Sequence, residues 1–403
     1  MIERISIENF KSLKQVDLKL GRLNLFVGAN ASGKSNLFDA LQLVWGVACG
    51  NPVIEFLEGG PRADSGEEWP GIRGGLANAI YRPPQPPFPQ EAKLRLWLAD
   101  ASGAFDYSFA FDSKGMTADE RLSHEGTEIF HMERGQVWFR HTNGGMSQGF
   151  PTRFRGSEMI ANLLMQREGS EKELIPVKDL IPLIAACMNH LVSMQFLELE
   201  PDTLRRYGLA ADVHRLLDKR GKNFAGVVRH ICSDAQTKQA YLSWLRELQP
   251  RELDDVKTLP GADGEPRFAV SDSGRDFSAT VLSNGTLRFA ALVASFFQEP
   301  PPELLAIEEI ENSIHGSRLR LLLELLRDQA SLGRTQVLAT THSPLVLAWL
   351  EPEEYQHTFF CGRDEATGAS HIVPLTEIPN FQEAVRNQSI ADLTTEGWLE
   401  AAL

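Results

Sequence analysis

The chain has 403 residues, of which 42% are hydrophobic and 23% are charged, the balance of an ordinary globular protein that can bury its own core. The chain contains 40 Lys and Arg residues and 54 Asp and Glu residues. The resulting formal net charge of −14 argues against a protein that coats nucleic acid by charge alone. The four cysteines are far apart and form no CxxC or Cys/His cluster, so neither a zinc site nor a disulfide framework is expected.

The N-terminal segments predict strands. Apolar residues alternate with polar ones in residues 2–7 and again in 16–20. The alternation is unlike a signal peptide, and the longest apolar stretch, residues 289–297, is far shorter than a membrane span. We therefore expect a cytoplasmic protein with no membrane segment. A third apolar run, residues 23–27, predicts a buried strand that ends at Gly28.

The remaining elements follow in chain order. Residues 35–47 predict a helix with one apolar face, and residues 49–90, rich in Gly and Pro, predict mostly loop. Period-two runs predict antiparallel strands with one buried face at 94–98, 105–111 and 136–140. Residues 157–194 and 204–248 predict helices, with a strand at 196–199 between them. Later, strands at 304–307 and 335–339 flank a helix at 319–326, the order typical of a parallel α/β sheet.

The strongest motif, Gly-Ala-Asn-Ala-Ser-Gly-Lys-Ser at residues 28–35, fits the phosphate-loop pattern GxxxxGK[ST]. Glycines let backbone N–H groups wrap phosphate oxygens, and the following helix adds a favourable dipole. Lys34 supplies a charge to the β and γ phosphates, and the Ser35 hydroxyl can bind Mg²⁺. A chance match in a Gly-rich turn is the alternative, but the strand before and the helix after the motif favour phosphate binding.

Two carboxylates follow the buried strand at 304–307. The carboxyl edge of an open α/β sheet faces the ligand crevice, so Glu308 is predicted to hold Mg²⁺ and Glu309 to orient and polarise the attacking water. The alternative is a solvated acidic turn. The strand at 335–339 likewise runs into His342, which either contacts the γ-phosphate or only caps the next helix. Ser283, before Asn284-Gly285-Thr286, is either a helix N-cap or a phosphate-binding residue.

In chain order, the phosphate loop, Leu-Ser-x-Gly, apolar-Glu-Glu and Thr-His-Ser-Pro resemble the ATP-binding-cassette (ABC) type of ATPase. The resemblance is closest to the stand-alone bacterial AAA-type ATPases related to OLD (overcoming lysogenization defect) proteins, and more distant to RecF and SMC proteins. The segment Ile-Glu-Asn-Phe-Lys-Ser-Leu at residues 7–13 is typical of that group, and residues 308–315 are similar to its E-E-P-E-N-x-L-H-P segment. The resemblance covers residues 1–48 and 280–348.

The resemblance implies an α/β fold of the P-loop NTPase class and the ABC-ATPase type, with a mixed central sheet, an antiparallel β subdomain and a helical insertion. It implies a head-to-head homodimer that traps two ATP molecules with Mg²⁺, in which Lys34, Glu309 and His342 are catalytic. Asn312 and Ser313 match a loop that contacts the partner subunit. The cofactor-binding residues it implies are Gly28, Ala29, Asn30, Ala31, Ser32, Gly33, Lys34, Ser35, Asn36 and, from the other subunit, Ser283 and Gly285.

The sequence departs from that group at a few positions. Glu308 stands where many relatives carry Asp, which shifts the metal geometry. Gln85 and Gln90 are the candidates for the glutamine that senses Mg²⁺, with plain loop polarity as the alternative. We divide the chain into an ATPase lobe with the phosphate loop and an antiparallel β part (1–200), a partly basic helical insertion (201–255) and a second ATPase part (256–403).

The predicted function is an ATP-driven switch that controls a separate effector, such as a nuclease of a phage-defence or toxin system. The stretch after Pro344 is too short for the nuclease domain of OLD proteins, so the effector is expected to be another chain. The alternative is a RecF-like DNA-binding repair ATPase; a transporter subunit fits the N-terminal segment poorly. A net +5 segment either contacts DNA or is a solvated helical face. Its basic residues are Arg205, Arg206, Arg215, Lys219, Arg220, Lys222 and Arg229.

Overall fold

The computed structural model describes residues 1–62, 68–133, 136–140, 150–151, 180–208, 216–248 and 253–402. Its strands are β1 Ile2–Phe10, β2 Leu13–Lys19, β3 Leu23–Val27, β4 Gly60–Pro61, β5 Glu68–Trp69, β6 Glu91–Asp100, β7 Gly103–Asp112, β8 Thr117–His124, β9 Thr127–Glu133, β10 Gln136–Phe139, β11 Phe150–Pro151, β12 Met194–Leu197, β13 Leu253–Pro260, β14 Pro266–Asp272, β15 Arg275–Ser278, β16 Leu304–Ile307, β17 Gln336–Thr341, β18 Thr358–Arg363 and β19 Ser370–Pro374.

The α-helices in the described residues are Lys34–Ala48, Val53–Glu58, Ile181–Val192, Pro201–Leu204, Phe224–Ile231, Ala235–Leu248, Asn284–Phe296, Leu319–Ser331, Pro344–Leu347, Phe381–Asn387, Ile390–Thr395 and Trp398–Ala401. Short 3-10 helices lie at Leu76–Asn78, Gly316–Arg318, Pro352–His357 and Leu375–Glu377. Across this described part of the chain, no helix is both long enough and apolar enough to span a lipid bilayer.

Two main sheets organise these strands. An eight-stranded sheet has the order β11-β10-β9-β8-β7-β6-β1-β2, and a six-stranded sheet has the order β12-β16-β17-β3-β18-β19. The chain divides into two compact units. The described residues of the first lie within Met1–Gly21, Gly28–Met194 and Phe360–Val373, and those of the second within Arg22–Val27, Gln195–Phe359 and Pro374–Leu403. The predicted division at residues 200 and 255 stays a prediction.

The first unit contains the eight-stranded antiparallel sheet, which confirms the predicted antiparallel strands. The period-two residues of β6 and β7 that were expected to face a core are buried: Leu94, Leu96, Leu98, Phe105, Tyr107, Phe109 and Phe111. Strands β8 and β9 extend the sheet beyond those predicted. The helix Lys34–Ala48 buries Leu37, Phe38, Leu41 and Val44, as its apolar periodicity predicts.

The second unit contains a parallel core. Strands β16 and β17 pair in parallel, as do β17 and β3, so that Ala306 aligns with Leu338 and Leu338 with Asn24. This confirms the parallel α/β sheet expected from the strand–helix–strand order. The helix Asn284–Phe296 is apolar nearly all round, and its residues from Thr286 to Phe296 are buried in a hydrophobic cluster with β16 and β17.

Three stretches differ from the sequence prediction. The predicted loop at 49–90 contains the helix Val53–Glu58, which begins after Pro52 and buries Phe56 in an aromatic stack with Trp69. Of the predicted helix at 204–248, the described residues form two helices, Phe224–Ile231 and Ala235–Leu248, with non-helical stretches at 205–208 and 216–223; residues 209–215 lie outside the described residues. Of the predicted helix at 157–194, residues 157–179 lie outside the described residues, while Ile181–Val192 is helical.

Candidate nucleotide-binding site

The phosphate loop follows β3 directly and requires backbone angles that favour glycine. Gly28, Ala31 and Gly33 have φ of 153°, 63° and 106°. A Cβ on Gly28 would lie 2.1 Å from the carbonyl oxygen of Cys361, and one on Gly33 would lie 2.2 Å from Ser370 Oγ. Side chains are therefore excluded at both motif glycines by conformation and by space, as expected of a loop whose N–H groups line an anion site.

Lys34 lies against the loop that precedes it. Its side chain is buried, with 7% of the residue exposed, and Nζ donates to the carbonyl oxygens of Gly28 (2.6 Å) and Ala29 (2.8 Å) and to Ser32 Oγ (3.4 Å). These are neutral acceptors, so phosphate oxygens are stronger partners for the same ammonium. The loop conformation and this ammonium fit a nucleotide phosphate chain.

A hydroxyl and amide cluster supports the phosphate loop from behind. Asn36 Nδ2 donates to Ser12 Oγ at 2.7 Å, and Ser12 Oγ lies 2.6 Å from Ser370 Oγ. The backbone N–H of Ser370 also donates to the carbonyl oxygen of Ser12 at 2.7 Å. Asn36 was predicted to bind the nucleotide; here its side chain anchors the loop to the N-terminal segment. No sequence motif pointed to Ser370.

An ion pair fixes the N-terminal segment to the helix that follows the phosphate loop. Lys11 Nζ lies 2.6 Å from Asp39 Oδ2, and both side chains are almost fully buried. The same ammonium donates to the carbonyl oxygen of Arg73 at 2.7 Å. Breaking a buried pair of this kind leaves an uncompensated charge, so the pair holds this segment in one place. The typical Asn-Phe-Lys-Ser segment thus has a structural role beside the phosphate loop.

The predicted acidic pair lies where the sequence placed it, directly after β16. Glu308 N donates to the carbonyl oxygen of Leu197 at 2.9 Å, and Glu309 N donates to Thr340 Oγ1 at 2.9 Å. Ile310 N donates to the carbonyl oxygen of Thr340 at 3.0 Å. Glu309 has a φ of 49°, in the left-handed region that disfavours a glutamate. Strain of this kind persists where the surroundings fix it, and it concentrates at functional sites.

Arg288 holds the backbone of the acidic pair, and the sequence analysis missed it. Only 2% of the residue is exposed, and its guanidinium donates to the carbonyl oxygens of Leu199 (2.6 Å), Glu308 (2.8 Å) and Glu309 (2.7 Å). Burial lowers the pKa of Arg288, an effect that the negative charges of nearby glutamates oppose. The sequence did contain one indication of this role: Arg288 is the one charged residue in a mostly apolar helix.

His342 is exposed just after β17 and contacts Glu311. Its backbone N–H donates to Glu311 Oε1 at 2.8 Å, and its Nε2 lies 3.5 Å from the same oxygen. Asn312 Nδ2 lies 3.4 Å from Glu309 Oε2. The structure therefore brings the side chains of the segment after Glu309 together with the predicted histidine, within the second unit.

The signature segment Leu282–Gly285 combines a helix cap with a close backbone approach. Ser283 Oγ accepts a hydrogen bond from Thr286 N at 3.1 Å, so the N-cap interpretation describes this structure. A Cβ on Gly285 would lie 2.5 Å from the carbonyl oxygen of Ser313. Glycine is therefore needed at position 285, where the signature segment passes close to the backbone of Ser313. Arg205 donates to the carbonyl oxygen of Leu282 (3.0 Å) and to Asn284 Oδ1 (2.6 Å).

Several of the remaining candidate residues have local partners. Gln85 and Gln90 are exposed, and Gln90 Nε2 donates to the carbonyl oxygen of Phe88 at 3.0 Å, which favours plain loop polarity. In the basic segment, Lys219 pairs with Glu198 at 3.5 Å, Arg220 pairs with Glu200 at 3.4 Å, and Arg205 holds the signature loop. Arg215 lies outside the described residues.

A divalent metal would draw on oxygen ligands here. Among the described residues there is no cluster of three or more His, Cys, Asp or Glu side chains that could hold a metal. Ser35 and Glu308, the predicted metal ligands, are both half-buried oxygen donors. A hydroxyl and a carboxylate are each the kind of oxygen donor that hard Mg²⁺ takes, one or two at a time, together with waters and substrate phosphates.

Comparison with known protein families supports the same assignment. Residues 202–348 match a family described as 'AAA domain, putative AbiEii toxin, Type IV TA system', where TA stands for toxin–antitoxin. Residues 1–52 match the AAA ATPase domain. Both matches are to AAA-type ATPase domains, and they cover residues 1–52 and 202–348. The motif-based resemblance and the P-loop ATPase fold class predicted from it are thereby confirmed.

Individual relatives agree with this assignment. The chain is 22% identical over 353 residues to an ATP/GTP phosphatase of Helicobacter pylori, covering 85% of each chain. A RecF protein of Bacteroides fragilis is 46% identical over 55 residues, which are 13% of this chain and 15% of RecF. An OLD nuclease of Thermus scotoductus is 41% identical over 46 residues, which are 11% of this chain and 9% of the nuclease.

The fold also has a solved counterpart. An SMC head bound to the C-terminal winged-helix domain of ScpA is similar, with a TM-score of 0.55, 12% identity, and coverage of 93% of this chain and 99% of that one. At this identity the similarity establishes the fold of an SMC- and ABC-type ATPase head.

Proposed function

We propose that the protein is a Mg²⁺-dependent ATPase that hydrolyses ATP to ADP and phosphate and acts as a switch. The observation that carries the proposal is the phosphate loop. Its two glycines admit no side chain, and Lys34 lies against the carbonyl oxygens of Gly28 and Ala29. A loop of this form is built to bind a nucleotide phosphate chain. The similarity to an ATP/GTP phosphatase over 85% of each chain supports hydrolysis of a nucleotide phosphoanhydride bond.

The residues divide the work as follows. The backbone N–H groups of residues 28–36 and the Lys34 ammonium bind the phosphates, while Ser35 and Glu308 hold Mg²⁺, which neutralises phosphate charge. Glu309 orients the attacking water and accepts its proton. His342 contacts the γ-phosphate. The fixed backbone around Glu309, with three carbonyl oxygens held by Arg288, supports this role because pre-organised groups lose nothing when the reaction begins.

The switch is a head-to-head homodimer that forms around ATP. Ser283 and Gly285 of one subunit close on the γ-phosphate bound by the other. The helix that begins at Asn284 offers N-terminal backbone N–H groups, with Ser283 as its cap, which suits an anionic group. A ligand that binds the closed state better than the open state shifts the population towards the closed state, so ATP drives closure and hydrolysis reverses it.

The switch controls a separate effector protein, such as a nuclease of a phage-defence or toxin system. The similarity to the AAA domain described with a type IV TA system supports a toxin–antitoxin context. The SMC head of the same fold is described as bound to a domain of ScpA, a different protein, which supports control of a partner chain.

A RecF-like DNA-repair ATPase is the second candidate, favoured by the 46% identity to RecF over 55 residues. DNA-stimulated ATP hydrolysis would support it. Neutralising Arg206, Lys222 and Arg229 together should then weaken DNA binding and flatten its salt dependence. The ion pairs of Lys219 and Arg220 disfavour this candidate because they neutralise part of the basic segment.

Calorimetric titration with Mg-ATP tests the primary proposal. Lys34→Ala should abolish tight ATP binding and leave the fold intact, because the ammonium is the main charge on the loop. Lys14→Ala is the matched control, since Lys14 is an exposed lysine on β2. Wild-type ATP affinity in the Lys34→Ala protein would overturn the proposal.

A further inference from the structure

Glu311 has unusual surroundings for a carboxylate next to a proposed active site. Its side chain is only 12% exposed, and Oε1 accepts the backbone N–H of His342 at 2.8 Å. The same oxygen lies 3.5 Å from His342 Nε2, beyond a hydrogen bond but within the range of an ion pair. Oε2 is buried and has no hydrogen-bond partner among the described residues.

A carboxylate placed in this way costs stability. An unsatisfied buried polar atom costs roughly 1–3 kcal/mol in principle, and more when it is charged. The hydrogen bond to the backbone does not by itself require a charge, because an amide side chain would satisfy the same N–H. The negative charge of Glu311 has charged or titratable neighbours in the buried Arg288, whose lowered pKa it partly restores, and in His342, the titratable side chain that it touches.

The segment from Glu309 to Glu311 joins the ends of two adjacent strands. Glu309 and Ile310 donate their backbone N–H groups to Thr340, and Glu311 accepts that of His342. Three hydrogen bonds therefore fix the end of β16 relative to the end of β17. This segment therefore fixes the backbone of Glu309 relative to that of His342. Within it, Glu311 is the residue whose side chain contacts His342.

We propose that Glu311 is a positioning residue that fixes His342 relative to Glu309 during ATP hydrolysis; this inference rests on the proposed ATPase function. The backbone contact sets where the His342 main chain lies, and the carboxylate beside Nε2 sets the orientation of the ring. Glu311 acts through His342 and does not contact the nucleotide. Positioning residues of this kind typically change activity by about 10- to 100-fold when removed.

A double-mutant cycle tests the proposal. Glu311→Ala should lower kcat about tenfold with KM changed less than twofold, and Glu311→Gln should lower it less because its amide oxygen still accepts the His342 N–H. In a His342→Ala background, Glu311→Ala should have no further effect, because the two residues act as one unit. Glu353→Ala, at an exposed glutamate, is the matched control and should leave kcat unchanged.

Hydrogen exchange supplies a readout that does not depend on activity. The His342 amide should exchange at least about tenfold faster in Glu311→Ala and at nearly the wild-type rate in Glu311→Gln, because only the first removes its acceptor. Suppose that the wild type hydrolyses ATP. If Glu311→Ala then leaves kcat unchanged, or lowers kcat by the same factor in the His342→Ala background as in the wild type, this inference is wrong but the proposed function stands. A wild type that does not hydrolyse ATP would overturn the proposed function and this inference with it.

Discussion

Glu120 makes the stability of the first unit depend on pH. Its side chain lies in the core, with the residue 1% exposed, and accepts a hydrogen bond from Tyr107 at 2.8 Å. The pKa of Glu120 is raised from 4.5 to about 7, mainly by burial; the Tyr107 hydrogen bond opposes this rise, and the negative charge of Asp119 contributes to it. Because the folded-state pKa is the higher one, the folded protein binds the extra proton between these two values.

The sign and size follow from linkage. The protonated Glu120 contributes to the free energy of unfolding, and this contribution is fully present below pH 4.5. It is lost as the pH rises to 7, by about 1.4 kcal/mol per pH unit, or about 3 kcal/mol in all. Glu120→Gln keeps an acceptor for Tyr107 but cannot ionise, so its free energy of unfolding should lack this fall.

Urea denaturation at pH values from 5 to 8, followed by circular dichroism, measures the effect. The difference in free energy of unfolding between Glu120→Gln and the wild type should grow by about 2.5 kcal/mol across that range. Other titrating groups are common to both proteins and cancel in the difference. Glu91→Gln, at an exposed position on β6, is the matched control and should show no such growth. A difference that stays constant with pH would refute the reasoning.

Three further substitutions test the site. Arg288→Met should destabilise the protein by about 3 kcal/mol in urea denaturation, because one buried and two partly buried carbonyl oxygens lose their donor; a loss under about 0.5 kcal/mol would contradict that role. Gly33→Ala should weaken ATP binding at least tenfold in calorimetry because its Cβ would collide with Ser370, whereas Gly126→Ala, with a similar positive φ but open space, should not. Arg205→Ala should reduce ATP-dependent dimer formation in light scattering while leaving the ATP affinity of the monomer unchanged, because it frees the signature loop only.

The sequence predicted those structural elements and site residues that depend on consecutive residues of the chain. Strand β3, the phosphate loop and the helix after it are consecutive in the chain, and the motif specifies the backbone angles that Gly28 and Gly33 adopt. Glu308 and Glu309 were placed correctly because four apolar residues define where β16 ends. The parallel pairing of β16 and β17 follows from the strand–helix–strand pattern, whereas the position of β3 beside β17 was not predicted.

The features that were missed depend on tertiary contacts. Ser370 is distant in sequence from Gly33, and no local pattern indicates that its hydroxyl excludes a side chain there. The basic segment was interpreted from its charge alone, but a count of charges does not show that Lys219 and Arg220 are paired or that Arg205 holds the signature loop. Partner choice among polar side chains is decided by the folded arrangement.

The Glu309→Gln protein provides the most direct test of the central claim that this chain is an ATP-driven switch. The amide retains the size of the carboxylate but cannot accept the proton of the attacking water. ATP affinity should therefore stay within about threefold of wild type, while phosphate release falls at least about 100-fold. Because blocked hydrolysis traps the closed state, sedimentation velocity with saturating Mg-ATP should show a dimer that disappears when ATP is removed. Wild-type turnover, or a protein that stays monomeric at saturating ATP, would contradict the mechanism.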